Sequence, residues 1–391
     1  MTGSLLDRIR RFQAELVGIR HDIHAHPELG MEEHRTADLV AAKLHEWGIE
    51  VHRGVGGTGV VGVLRSGNGQ AAVGLRADMD ALPMQELNEM DYASTIDGKM
   101  HACGHDSHTA MALGAAQLFT KEKFDGRIRF LFQPSEESAD EEGKSGAQRM
   151  VEDGAMNGVD YVIAQHVDPT HPVGTITISS GPCSGGVDSW FAVIEGKGGH
   201  GAYPHETVDP FFLLAHVIFA LNGIVSRRLD PFAPAVVSIG SINGGFTENV
   251  IPQSVKLTGT LRYTDVAVQK QIHAEIKRAF EVTKALGGGY ELKFEIGGLP
   301  MVNEEKVSAE IEKIGVEMLG RENVTELEKS LGAEDFGSFL DCAPGAMFML
   351  GVQKKGHEGY LLHHPKFDLD ERALPIGTAM LVETALKLLK E

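Results

Sequence analysis

The sequence predicts an α/β protein in which a smaller domain is inserted into a larger one. With 391 residues, the chain is about twice as long as a typical domain. Short apolar runs alternate with helical stretches up to Gly181 and again from Pro300 onward, which is the pattern of a sheet flanked by helices. Between these positions the order of elements changes to strand, helix, strand, strand, helix, strand.

The larger domain begins with two predicted helices in residues 4–47, separated at His26 and Pro27 because the residue before a proline avoids the helical conformation. In the second helix, Leu39, Val40 and Leu44 recur at helical spacing. The elements that follow are strands at 60–64 and 71–75, a helix at 107–119, a strand at 127–132, a helix at 146–153 and a strand at 161–164, and after the insertion a helix at 304–319, a strand at 346–350 and a helix at 374–389.

The inserted domain has the βαββαβ order of a ferredoxin-like unit, which folds around a core of its own. Its predicted elements are a strand at 189–195, a helix at 208–225, strands at 235–242 and 254–260, a helix at 266–285 and a strand at 290–296.

Charge and cysteine content exclude several classes of function. With 36 basic and 55 acidic residues the net charge is −19, so the surface repels phosphate backbones and anionic lipids, and we expect no nucleic-acid or membrane partner. The longest apolar stretch, 211–221, is interrupted by His216 and is shorter than the roughly 20 residues that a membrane span needs. Three cysteines, an odd number, are typical of a reducing compartment, so we expect a cytoplasmic protein.

Polar residues that can carry chemistry follow several predicted strands. They are Asp78 and Asp80, Glu136 and Glu137, His166, and His363 and His364. Because the carboxyl ends of strands in an open α/β sheet meet in one crevice, we expect these side chains to converge. The segment that contains His101, Cys103, His105 and Asp106 directly precedes a predicted helix and adds a thiol and imidazoles at the same edge.

A thiolate, imidazoles and carboxylates together are the ligands of zinc, manganese or cobalt. These donors outnumber the needs of one tetrahedral site, so we expect two metal ions, which clamp a substrate oxygen and a bridging water. Of the adjacent Glu136 and Glu137, one can bind metal while the other acts as general base. The alternative is that each residue is separately a capping group or a buried structural histidine, and Asp140, Glu141 and Glu142 are expected to form a solvated acidic loop.

Three residues of the inserted domain are weaker candidates. His200 could donate a hydrogen bond to a developing oxyanion, or it could be a turn residue that caps the next helix. Asn249 and Arg262 could hold a substrate carboxylate, since arginine binds planar anions through two hydrogen bonds. As an alternative, both are ordinary surface or hairpin residues.

Seven segments, taken in order, resemble the aminoacylase and hippurate hydrolase branch of the peptidase M20 family, which includes plant indole-acetyl-amino-acid hydrolases. The segments are RADMDALP (76–83), HACGHDSHTAMALGAA (101–116), FQPSEES (132–138), HGAYPH (200–205), ENVIPQ (248–253), GAEDFGSF (332–339) and LHHPKFD (362–368). The resemblance implies a metal-dependent exopeptidase-like catalytic domain with a central mixed sheet, at 1–186 and 299–391, and an inserted lid or dimerisation domain at 187–298.

The resemblance also implies a binuclear metal amidohydrolase that cleaves N-acyl amino acids and works as a homodimer. By motif position, five residues match the family's metal ligands: Cys103, His105, Glu137, His166 and His363. Glu136 matches the general base, Asp80 the residue that orients a ligand histidine, and His200 a histidine that reaches the partner subunit's active site. Asp78 stands where other branches have histidine, which together with Cys103 points to the aminoacylase branch and leaves manganese, zinc and cobalt all open as the metal.

Three other functions are compatible with some of these residues. The first is a dipeptidase or carboxypeptidase with the same chemistry, which would differ in substrate. The second is a small-molecule binding protein without activity, which would lack the base or a ligand. The third is a mechanism in which Cys103 is a nucleophile, which would be inactivated by alkylation whether or not metal is bound.

Overall fold

A computed structural model describes residues 5–354 and 359–390. The chain forms two compact units, of which the first contains Met1–Cys183, Val302–Glu328 and Asp335–Glu391 and the second contains Ser184–Met301 and Lys329–Glu334. The second unit therefore includes the segment 187–298, interpreted from the sequence as an insertion. That it serves as a lid or in dimerisation stays a prediction.

The helices and strands are numbered in chain order. The helices are α1 (Leu5–Arg10), α2 (Gln13–His24), α3 (His34–Glu46), α4 (His105–Phe119), α5 (Gly146–Glu152), α6 (Pro210–Arg227), α7 (Val266–Ala285), α8 (Glu305–Leu319), α9 (Gly337–Leu340) and α10 (Ala373–Leu388). The strands are β1 (Glu50–Arg53), β2 (Val60–Ser66), β3 (Ala72–Asp78), β4 (Gly126–Gln133), β5 (Tyr161–Pro172), β6 (Ile176–Thr177), β7 (Gly181–Pro182), β8 (Gly186–Glu195), β9 (Gly199–His200), β10 (Ala235–Gly244), β11 (Val250–Ile251), β12 (Ser254–Tyr263), β13 (Gly289–Ile296), β14 (Val302–Asn303), β15 (Val324–Thr325) and β16 (Gly345–Gln353).

The first unit is built on an eight-stranded sheet in the order β1-β2-β4-β3-β5-β16-β6-β15. Strands β4, β3, β5 and β16 run parallel. The pairs β1–β2, β2–β4 and β6–β16 are antiparallel, and β15 pairs in parallel with β6. Every residue of β3 is buried, as expected for a central strand covered on both faces. The predicted α/β class with a mixed central sheet is confirmed.

Helix α4 packs against the core of the first unit along almost its whole length. All of its residues except Gln117 are buried, and many are alanine, so neighbouring helices can approach closely. A Cβ atom on Gly114 would lie 2.6 Å from Leu16 of α2 and 3.2 Å from Thr378 of α10. This close packing fixes the amino terminus of α4, which carries His105.

The second unit contains a four-stranded antiparallel sheet in the order β10-β12-β8-β13. Helices α6 and α7 pack against it through Leu213, Val217, Ile272 and Ile276, among others. By length and composition alone, α6 is the one helix of the described residues that could cross a membrane, with a mean hydropathy of 1.5 over 18 residues, a test that core helices of soluble proteins also pass.

The structure differs from the predicted elements in a few places. The first predicted helix is divided into α1 and α2. The short edge strand β1, with the sequence EVHR, was not predicted because Val51 is its single apolar residue. Strand β3 extends to Asp78 and β5 extends past His166, so these two residues lie within strands and not after them.

Candidate metal centre

The candidate site lies at the carboxyl edge of the parallel strands in the first unit. Asp78 is the last residue of β3, and Glu136 and Glu137 follow β4. His166 pairs with Met349 of the neighbouring strand β16. Cys103 directly precedes α4, and His363 lies in the loop after β16.

Cys103 is at the centre of the cluster. Its Sγ lies 3.4 Å from Nε2 of His166 and 3.3 Å from Nε2 of His363, and His363 Nε2 lies 3.0 Å from Oε1 of Glu137. Two ligands of one tetrahedral ion, each 2.0–2.3 Å from it, are about 3.3 to 3.8 Å apart. The donor atoms thus have nearly the separations that a shared divalent cation imposes.

The donors form overlapping sets, each with its ligand atoms within 4.8 Å of one another: Cys103, His105 and His166; Cys103, Glu137 and His363; and His105, Glu136 and Glu137. Because Cys103 and His105 recur in more than one set, the cluster is larger than a single site. It fits two adjacent ions better than one. His363 is half-exposed, so solvent reaches the cluster from its side.

Asp80 holds two of the candidate ligands. One of its carboxylate oxygens lies 3.2 Å from Nδ1 of His105, and the other accepts a hydrogen bond of 2.9 Å from the backbone N–H of Glu137. Nε2 of His105 is buried, makes no hydrogen bond within the described part of the chain and lies 3.6 Å from a carboxylate oxygen of Asp78. A buried imidazole nitrogen without a hydrogen bond is costly, and a metal ion would satisfy it while Asp80 fixes the tautomer.

His363 and Gly104 have backbone conformations that the site requires. His363 has a φ angle of 63°, which is unusual outside glycine and typical of functional positions, and its N–H donates to the carbonyl of Ala102. Gly104, between Cys103 and His105, has a φ angle of 88°, and a Cβ atom there would lie 2.4 Å from Val167.

The protonation of the cluster depends on burial and on mutual charge. Burial raises the pKa of the Cys103 thiol well above its usual range. Burial also opposes ionisation of Glu137, but the hydrogen bond with His363 and the charge of His105 hold its pKa below the ordinary value. A divalent cation would therefore bind with release of the thiol proton.

Asp78 and His108, which also lie within 4.8 Å of His105, are engaged in other contacts. Nδ1 of His108 lies 2.6 Å from Asp78, and Nε2 accepts a hydrogen bond of 2.9 Å from the N–H of Val167. Both ring nitrogens are therefore used, and burial lowers the pKa of His108 to about 4. Asp78 also pairs with the buried Arg76 at 2.7 Å. We interpret this group as supporting the site and not as a ligand set.

Sequence reasoning missed Glu33, Arg76 and His108. Glu33 is fully buried, and its carboxylate accepts hydrogen bonds from Thr58 and, at 2.8 Å, from the N–H of Ser135. It thereby holds the turn that presents Glu136. For Arg76 the sequence did hold a signal, a charged residue inside the apolar run 71–77, since such a residue is rarely buried unless it has partners. Glu33 lies among other polar residues and gave no such signal.

Two residues near the ligands in sequence are not part of the cluster. Asp106 turns away from it and pairs with the buried Arg20 at 3.0 Å and with His24 at 2.8 Å. His364 accepts a hydrogen bond from the backbone of Lys366 and stacks on Tyr360.

The three candidates of the inserted segment lie in the second unit. His200 on β9 pairs with Val250 on β11, and the N–H of Gly201 donates to the carbonyl of Asn249 at 2.8 Å, so His200 and Asn249 are neighbours. Both are exposed. Arg262 is half-buried and donates to Thr260 and to the carbonyl of Leu261, all on β12.

A mixed sheet with a thiol, imidazole and carboxylate cluster at the carboxyl edge of its strands defines a metal-dependent hydrolase of amide bonds. The chain belongs to peptidase family M20/M25/M40, whose family model matches residues 74–387. The resemblance found in the sequence is therefore confirmed.

Comparison with known proteins gives relatives along nearly the full length. The chain is 40% identical to thermostable carboxypeptidase 2 of Saccharolobus solfataricus, over 99% of this chain and 98% of that protein. It is 37% identical to N-acetyl-L-cysteine deacetylase of Bacillus subtilis, over 96% and 89%, and 36% identical to hippurate hydrolase of Campylobacter jejuni, over 99% and 100%. Among solved structures, a dinuclear metal-binding M20 peptidase from Bacillus subtilis superimposes with a TM-score of 0.84 at 31% identity, over 97% and 99%.

Proposed function

We propose that the protein hydrolyses the amide bond of N-acyl amino acids and releases a carboxylic acid and a free amino acid. The observation that carries this proposal is the convergence of Cys103, His166, His363 and Glu137 on one another at the sheet edge. Relatives named for N-acetylcysteine deacetylation and hippurate hydrolysis, each more than one third identical over almost the whole chain, support the substrate class.

The cofactor we propose is a pair of divalent ions in each subunit. Cys103, His105, His166, Glu137 and His363 would hold these ions, as the overlapping donor sets suggest. Manganese, zinc or cobalt would suit this mixture of soft and hard donors. When bound, such ions polarise an amide carbonyl and lower the pKa of a water molecule.

Glu136 is proposed as the general base. Its neighbour Glu137 is committed through its side chain to His363 and through its N–H to Asp80, whereas Glu136 lies within 4.8 Å of His105 and Glu137. Glu136 would take a proton from the attacking water and deliver it to the departing amide nitrogen. Asp80 would hold His105 in the tautomer with the proton on Nδ1, which leaves Nε2 unprotonated and able to bind a metal ion.

The second unit is proposed to contribute substrate contacts. His200 would stabilise the oxyanion, and Asn249 and Arg262 would hold the substrate carboxylate. His200 lies on β9 and Asn249 lies directly before the paired strand β11, and this adjacency supports a joint role for the two residues. The hydrogen bonds of Arg262 with Thr260 and Leu261 both use Nη1, so its other guanidinium nitrogens could bind the substrate carboxylate.

A homodimer is proposed in which His200 serves the partner's site. Helix α6 supports it, because Phe212 and Phe219 are exposed opposite the core face, Phe219 to 83%, and apolar surface of this kind marks an interface. The test mixes His200→Ala and Glu136→Gln subunits. With donation in trans, about a quarter of wild-type activity should return on random exchange. No recovery after demonstrated exchange would rule out the trans role.

We also propose that the protein works in the cytoplasm. Its three cysteines are free thiols, and the proposed ligand Cys103 would need a reducing environment to stay so.

The carboxypeptidase alternative is favoured by one specific observation, the 40% identity to thermostable carboxypeptidase 2. The test is a panel in which one amino acid carries an acetyl, a benzoyl or an aminoacyl group. We expect kcat/KM for the acyl derivatives to exceed that for the dipeptide, and the reverse order would assign the protein to the peptidases.

The other two alternatives are less compatible with the site. Cys103 is only 7% exposed, and burial keeps its thiol protonated, which disfavours a nucleophilic role. A binding protein without activity would lack the base or a ligand, but Glu136 and all five proposed ligands are present.

A further inference from the structure

The hydrogen-bond ladder between β3 and β5 stops just before the candidate site. The last backbone pair is Arg76 with Ala164, although β5 continues to Pro172. Val167 lies on β5 beyond this last pair, and its N–H donates to Nε2 of His108 at 2.9 Å. A side chain from α4 thus replaces the missing strand partner, next to His166.

The imidazole of His108 is itself held firmly. Its Nδ1–H donates to Asp78 at 2.6 Å, and the other oxygen of Asp78 faces Arg76 at 2.7 Å. All three side chains are almost fully buried. Since one ring nitrogen donates and the other accepts, the ring has one orientation and one tautomer.

His166 depends on this arrangement through two contacts. Its ring packs edge-on against the ring of His108, with centroids 4.6 Å apart. Its Nδ1–H donates to the carbonyl of Val167 at 2.9 Å, the residue whose N–H is bound by His108. These contacts leave Nε2 of His166 directed at Cys103.

We propose that Asp78 and His108 are positioning residues that direct Nε2 of His166 and so set the affinity of the metal position formed by Cys103, His105 and His166. The inference rests on the proposed binuclear centre. Asp78 would then affect the metal indirectly, through His108 and the backbone of Val167.

The test is a titration of the metal-free protein with Co²⁺, followed by calorimetry and by the thiolate-to-cobalt absorption band. Wild type should bind two ions. His108→Leu should bind one of the two about 10- to 100-fold more weakly. His108→Gln should retain affinity, because an amide can donate to Asp78 and accept from Val167. Thr378→Val is the matched control, since it removes a buried hydrogen bond to the backbone carbonyl of Met111 on the same helix α4, and it should bind both ions as wild type does.

If His108→Leu does not fold, His108→Asn replaces it, because its shorter side chain cannot reach both partners, and it should show the same weakening. Wild-type affinity for both ions in a folded Leu or Asn variant would overturn the positioning role alone. Failure of the wild-type protein to bind cobalt would instead overturn the binuclear centre on which the inference rests.

Discussion

At the residue scale, two adjacent glutamates have different surroundings. Glu137 is held by Asp80 through its backbone and by His363 through its carboxylate, and its pKa is lowered below the ordinary value despite burial. Glu136 has a carboxylate oxygen within 4.8 Å of the ligand atoms of His105 and Glu137. Adjacent residues of a chain point in different directions, so one can serve the metals while the other moves protons.

This difference predicts separable effects of two amide substitutions. Glu136→Gln should lower kcat by about 100- to 10,000-fold, because general-base catalysis is lost, while the bound metal stays near wild-type content. Glu137→Gln should lower the metal content itself. Elemental analysis together with kcat distinguishes them, and the reverse pattern would exchange the two assignments.

Glu33 predicts a dependence of stability on pH. Burial raises its pKa to about 7 from the ordinary value of 4.5, so between these two pH values the folded protein holds a proton that the unfolded chain has lost. The free energy of unfolding should therefore fall as the pH rises from about 4.5 to 7.

Glu33→Gln should remove this loss in the metal-free protein. Relative to wild type, the variant should gain stability between pH 5 and pH 8, by at most on the order of 3 kcal/mol, as measured by urea unfolding. Glu32→Gln, at the exposed neighbouring position, is the control for loss of a charge. A constant difference across this pH range for Glu33→Gln would contradict the prediction.

At the scale of elements, apolar patterns predicted the strands and helices of the core closely. The strand expected at 127–132 is Gly126–Gln133, and the helix expected at 374–389 is Ala373–Leu388. Helix α4 begins at His105, two residues before the expected start, because Gly104 in the left-handed conformation turns the chain into the helix there. Short polar edge strands such as β1 carry no apolar signal and were missed.

The sequence predicted the candidate site only in part. Strand ends share one edge of a parallel sheet, so residues such as His166 and Glu137 could be expected to meet. Glu33 and His108 accept hydrogen bonds from the backbone N–H groups of Ser135 and Val167, which are residues far from them in the sequence. Such contacts depend on how α3 and α4 pack against the sheet, and they produce no recognisable spacing of residues in the sequence.

Gly104 is a position at which a side chain would both strain the backbone and clash with a neighbour. Gly104→Ala should destabilise the protein by about 2 to 4 kcal/mol, from a strained φ angle and a clash with Val167, and should weaken metal binding because Cys103 and His105 flank it. Gly98 also has a positive φ, of 73°, but open space around it. Gly98→Ala should therefore cost only about 1 kcal/mol. Equal losses in thermal unfolding would show that packing at Gly104 is unimportant.

At the scale of the whole molecule, each unit has its own core, and the second exposes an apolar face on α6. Residues Phe212 and Phe219 are too large and apolar to remain in water without cost. A second copy of the chain would bury them. The sequence indicated the βαββαβ order but not which face of its helix would remain uncovered, since that depends on how α6 lies on the sheet.

Phe219→Lys should weaken the proposed homodimer, because it would place a charge in the apolar interface proposed on α6. Light scattering during size-exclusion chromatography, repeated over a dilution series, should show a dissociation constant of the dimer that is raised by at least about tenfold. Leu361→Lys, an exposed apolar position of the first unit, should leave the mass unchanged. A wild-type protein that is monomeric at micromolar concentration would refute the homodimer.

The central claim is that a cluster of thiol, imidazole and carboxylate donors serves amide hydrolysis by binding two metal ions. The most direct measurement is the rate of hydrolysis of an N-acetyl amino acid by metal-free protein as Mn²⁺, Zn²⁺ or Co²⁺ is added. We expect no activity without metal and a rise in rate that levels off at two ions per subunit. Full activity in the metal-free protein would contradict the claim.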